Sequence, residues 1–140
     1  MTIDDIKKRL VEEIKLRGYE DRYIDRGEER EILQLAITLG VTIDSARAAL
    51  VQVCGENGYV QETAVFQMIR DRLEAANRDG AVDQKEFDQV FALARAAVQG
   101  KKNDRAVKVM IVTVMEEAGN TVRKGWFRNW YASLKRELGI

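Results

Sequence analysis

Not one proline occurs in the 140 residues of this chain. Proline fixes φ, lacks an amide donor and breaks helix interiors, so the interruptions along this chain must come from other residues. Glycine supplies them. Most glycines fall where helical patterns end, as at Gly18, Gly40, Gly58, Gly100 and Gly139. A chain punctuated this way reads as helices joined by short turns.

Caps and apolar spacing place seven helices. Thr2 with Asp5 makes a Ser/Thr-x-x-Asp/Glu box, and Ile3, Ile6, Leu10 and Ile14 follow as one stripe to Gly18. Asp25 with Glu28 opens the second helix, which runs through Ile32, Leu35 and Leu39 to Gly40. Thr42 opens a third with Ala46, Leu50 and Val53, ending before Gly55 and Gly58. The fourth covers about 61–76, with Ala64, Met68 or Ile69, and Leu73 inward. Asn77-Arg78-Asp79-Gly80 is a turn signal, and Asp83 with Glu86 opens a fifth helix carrying Phe87, Val90, Phe91, Ala94 and Val98. The sixth, about 104–118, is apolar nearly all round and reads as a buried helix. Its β-branched run would also suit a strand, but no other segment supplies a sheet partner. The seventh runs from about Val122 to Leu138 and is basic and aromatic.

Size and composition confine the chain further. It is long enough for one domain with a core, and 46% of its residues are hydrophobic. The 23 basic and 23 acidic side chains balance, but unevenly along the chain: residues 1–100 hold 14 basic and 19 acidic, residues 101–140 hold 9 and 4. An anionic partner would be drawn by charge only to the tail. The one cysteine, Cys54, excludes an internal disulfide and a multi-cysteine zinc site, and its place beside Leu50 and Val53 marks it as a buried thiol. With no histidine, Ser–His and Cys–His catalysis and histidine metal ligation are excluded. No phosphate-cradling glycine loop is present, so the expectation is a non-enzyme. The absence of an 18-residue apolar stretch or leader-like start points to a cytoplasmic protein.

An internal repeat organises the chain. Residues 19–36 align with 77–94 at an offset of 58, with Asp21/Asp79, Asp25/Asp83, Glu28/Glu86, Leu35/Leu93 and Ala36/Ala94 identical. Ile24/Val82, Ile32/Val90 and Leu33/Phe91 agree in character. Two related helical halves would give this pattern, with Ile32 and Val90 both inward.

Two readings attach to the repeated acids. As helix starts, Asp25 and Asp83 cap backbone amides while Glu28 and Glu86 reach back to the cap, leaving Asp21 and Asp79 as turn residues. As a metal site, Asp21, Asp25, Glu28, Asp79, Asp83 and Glu86 would supply oxygens to a calcium ion. Around Gly80 the spacing parallels an EF-hand loop, with Asn77, Asp79, Gly80, Asp83 and Glu86 at positions 3, 5, 6, 9 and 12. Ala75 stands at position 1, and the first half has Arg17, Tyr19 and Arg22 where positions 1, 3 and 6 fall.

The paired segments YIDRGEEREILQLA and GAVDQKEFDQVFALA resemble the TerB-like tellurite-resistance superfamily. Each half of such domains typically starts Asp-Gly-x-hydrophobic-Asp/Ser-x-x-Glu. The resemblance covers about residues 19–100. It implies an all-α domain of two similar halves, an acidic patch at the six positions just named that takes calcium, and a stress-related or membrane-associated adaptor role. Arg22 replaces the usual glycine, and the tail lies outside the motif.

Two further segments carry expectations. Residues 35–50, with Ala36, Gly40 and Val41 at a turn and Thr42 as a cap, resemble a helix-turn-helix, so the alternative function is a DNA-binding regulator. Its second helix offers Arg47 beside Asp44 in an acidic surrounding, which argues against nucleic acid. In the tail, Trp126 and Trp130 are four apart, as are Phe127 and Tyr131, flanked by Arg123, Lys124, Arg128, Lys135 and Arg136. The aromatics either dock on the core or present Arg123, Lys124, Trp126, Arg128 and Trp130 to a partner protein or an anionic membrane surface. The expectation as a whole is an all-α single domain over 1–140, a bundle of about seven helices from two related halves, acting as a non-catalytic adaptor.

Overall fold

The computed structural model describes residues 2–76, 81–119 and 129–140. Helices begin in it where the sequence supplies caps. Thr2 and Asp5 form the expected reciprocal box before α1 (Ile3–Gly18). A two-residue strand β1 (Tyr23–Ile24) leads to α2 (Arg26–Thr38), and then α3 (Ile43–Asn57) starts from Thr42. Strand β2 (Val60–Gln61) pairs in parallel with β1 and runs directly into α4 (Glu62–Ala76). After these come α5 (Gln84–Ala97), α6 (Asp104–Ala118) and α7 (Trp130–Leu138). Among the described residues the fold is all-α, with seven helices and one two-strand ladder. The 58-residue offset reappears in the helix limits: α1 ends at 18 and α4 at 76, and α2 begins at 26 and α5 at 84.

The chain divides into two compact units, residues 1–63 and 64–140. In unit 1, α1, α2 and α3 pack against one another, α1 most extensively against α3. Leu10 and Ile14 of α1, Ile24, Ile32 and Ala36, and Ala46, Leu50, Val53 and Cys54 of α3 form one core. Cys54 is buried, as its neighbours in sequence imply. Helix α2 ends in a Schellman motif. The Gly40 amide donates to Ile37 O at 3.0 Å, and the Val41 amide donates to Ala36 O at 2.8 Å. Gly40 takes φ +81°, where a Cβ is penalised.

In unit 2, α6 carries six buried residues spread around the helix: Val107, Met110, Ile111, Val112, Val114 and Met115. Burial on most of its faces favours this β-branched run as a helix despite its propensity. Trp130, Leu134 and Leu138 are the buried face of α7, and the Trp130 ring meets Phe87 of α5 at 5.6 Å. Arg105 Nη2 donates to Leu138 O at 2.7 Å, placing a cation at the carbonyl end of α7.

Several sequence expectations are corrected. Ile3 does not continue the inward stripe but is 73% exposed, because α3 packs on α1 from Leu10 onward. Gly55 does not end α3; the helix runs through it to the left-handed Gly58. On α4, Val65 and Phe66 are inward and Ala64 is exposed, so the buried face starts one residue later. Ile32 and Val90 are both buried, as expected.

Candidate functional site

Asp25 Oδ1 accepts from the Glu28 amide at 2.7 Å, and Glu28 Oε1 accepts from the Asp25 amide at 3.2 Å. Asp83 and Glu86 repeat the arrangement at 2.8 and 3.1 Å. Asp21 Oδ1 accepts from the Tyr23 amide at 3.1 Å, which shapes the turn into β1. Partial burial holds the Glu28 carboxyl above its ordinary range, and the charges of Asp25 and Asp21 add to this against the Asp25 amide. Asp79 lies outside the described residues. Among those described, no three His, Cys, Asp or Glu side chains gather in a way that would hold a metal ion.

A second acidic cluster escaped the sequence reading. Tyr23 Oη donates to Glu62 Oε2 at 2.5 Å, and the Arg26 amide donates to Glu62 Oε1 at 3.1 Å. Glu29 accepts from Gln61 Nε2 at 2.6 Å and from the Thr63 hydroxyl. These bonds tie the start of α2 to the end of β2 and fix unit 1 where the ladder closes. Burial and the Glu62 carboxylate push the Tyr23 phenol far up, so it stays a donor.

Arg123, Lys124, Trp126 and Arg128 lie outside the described residues. Trp130, proposed from sequence as a partner-binding residue, is corrected: it is only 7% exposed and packs on Phe87 and Tyr131, so its indole is not presented. Tyr131 Oη and Lys135 Nζ both donate to Glu116 Oε1, at 2.7 and 2.9 Å. The ammonium and the phenol together hold the Glu116 carboxyl below its usual range.

The helix-turn-helix positions fall on α2, its Schellman turn and α3. Arg47 is exposed on α3, as is Asp44. The pair offers a phosphate no net positive charge.

A cleft able to receive a ligand lies elsewhere in unit 1. Between the N-terminal halves of α1 and α3 opens a cleft of about 560 Å³. Ile3, Ile6, Leu10 and Val11 form one wall, Ala48 and Ala49 the other, and Val41 its end. Thr42, Ser45 and Gln52 are its neutral polar members, and Lys7 is its single charge. The cleft exists because α3 presents Ser45, Ala48 and Ala49 to α1, side chains too small to fill the gap beside Ile6 and Leu10. The small residues were legible in the sequence, but which helix they would face was not.

No polar or charged side chain among the described residues is buried. Nor is any helix among them long and apolar enough to cross a membrane. Among the described residues the protein is all-α, and unit 1 carries an apolar cleft. Compared with known proteins, the chain matches no family model, no characterised protein and no solved structure.

Proposed function

We propose that this chain is a non-catalytic helical adaptor of TerB-like type that engages another protein through the α1/α3 cleft of unit 1. The observation that carries the reading is the cleft itself. Its lining is mostly apolar, and Ile3 at its mouth is 73% exposed. Exposed apolar surface of this kind marks sites of interaction. The capping roles of Asp25, Glu28, Asp83 and Glu86 account for four of the six acids without a cation. Calcium binding therefore rests on the EF-hand-like spacing around Gly80 and on the resemblance, and a stress-related role on the resemblance.

A photo-crosslinking residue at position 48, inside the cleft, tests the adaptor reading in extracts of the source cells. The expected result is a discrete adduct with another protein that is lost when Ile3→Ser and Val11→Ser remove apolar lining. No adduct, or one equally strong from a control position on the exposed face of α7, would overturn it.

A further inference from the structure

We infer that the occupant of the α1/α3 cleft is an amphipathic helix of a partner protein whose apolar ridge carries a carboxylate that pairs with Lys7. This deepens the adaptor reading and rests on it. Charge complementarity selects the partner. Unit 1 holds nine basic and thirteen acidic side chains, yet no acid lines its cleft and the one charge there is the Lys7 ammonium. A basic ridge would meet that ammonium as a like charge, whereas a single Glu or Asp would meet its counter-ion. Dimensions select a helix. From Ile3 to Val11 the α1 wall spans about 12 Å at a rise of ~1.5 Å per residue, two turns of a docking helix. That length takes anchors at i, i+3 and i+7. A second copy of the chain suits the site less well, since obligate homodimer interfaces run from about 2,000 Å² upward, far beyond a two-turn cleft, whereas an amphipathic helix docks in a groove through a few anchors.

Fluorescence anisotropy with the full chain and two labelled peptides tests this. Both are amphipathic helices with Leu at i, i+3 and i+7; one carries Glu at i+4, the other Lys. The Glu peptide should bind wild-type protein about fivefold more tightly than the Lys peptide, the scale of a partly exposed ion pair. Lys7→Glu should invert that order. Ala48→Glu, which sets a side chain into the cleft from an exposed position, should abolish binding of the Glu peptide while circular dichroism and urea midpoint stay at wild-type values. Equal binding of the two peptides to wild type would overturn the carboxylate inference and leave the adaptor reading standing. So would no binding of either peptide while the crosslink at position 48 still forms. Loss of both peptide binding and crosslink overturns both. A self-association seen by sedimentation and broken by Ala48→Glu would give the cleft to a second copy and overturn the inference.

Discussion

The ring of Tyr59 occupies the space where a side chain on Gly18 would begin: a Cβ built on Gly18 would overlap three of its ring carbons. Gly18 closes α1, and the Tyr59 hydroxyl reaches Lys15 O in the same turn at 3.4 Å. The glycine is required by close approach, since its φ is not in the left-handed region. Gly18→Ala should therefore destabilise unit 1 by about 1–3 kcal/mol, despite alanine's better helix propensity. Urea denaturation checks this, and pairing the change with Tyr59→Ala should recover part of the loss.

Arg22 holds φ +56°, a conformation costly for any residue with a Cβ. Its amide donates to Gly18 O and its carbonyl accepts from the Val60 amide, at 3.0 and 2.8 Å, so the backbone is fixed there. The repeat places Gly80 at the matching position. Arg22→Gly should raise stability by roughly 0.5–1 kcal/mol, the relieved strain less the extra freedom of the unfolded chain. A lower melting temperature for this variant would contradict the strain.

The two Asp–Glu boxes make parallel predictions. Asp25→Ala and Asp83→Ala should each cost about 0.5–2 kcal/mol, and Asp→Asn at either site much less, because the amide oxygen still accepts. Thermal unfolding of the four variants separates capping from a requirement for charge.

Trp130 is core in unit 2, against Phe87. Trp130→Ala should cost about 3–5 kcal/mol. A variant of wild-type stability would return the indole to a surface role.

Burial pushes the Cys54 thiol up to about 11, with Glu29 adding to the effect. The fold thus favours the protonated thiol. That contribution is complete below the unfolded thiol's pKa and is lost as pH rises through 11. At pH 8 a thiol reagent should modify Cys54 only as fast as unit 1 opens, and Cys54→Ser should flatten the loss of stability between pH 9 and 11.

What the sequence revealed was what is local. Thr2 with Asp5, Asp25 with Glu28, and Asp83 with Glu86 lie three residues apart, and each box forms as expected. The limits of α6, expected at about 104–118, agree with the helix, which Asn103 caps and Gly119 ends. Packing was not legible to the same degree. Ile3 follows the stripe of Leu10 and Ile14 in spacing, yet it is exposed. Glu62 carries no signal of its role in the sequence, because Tyr23 and Arg26, its partners, lie 39 and 36 residues away. The cleft depends on α3 lying beside α1, which no window of either helix states. Trp130 sits among bases that suggest a surface, and its burial follows from Phe87, 43 positions earlier.

The ladder of Tyr23 on Val60 and Ile24 on Gln61 joins segments 37 positions apart through two residue pairs. Helical turns form from neighbours within about a microsecond, whereas a contact of this span waits until the chain between its ends has ordered. The ladder should then form late in the folding of unit 1, once α2 and α3 have brought Val60 back to Tyr23. Its amides should be the first there to exchange with solvent when the unit breathes. The Val60 amide, which donates to Arg22 O, becomes the natural reporter of whether the three-helix unit is closed.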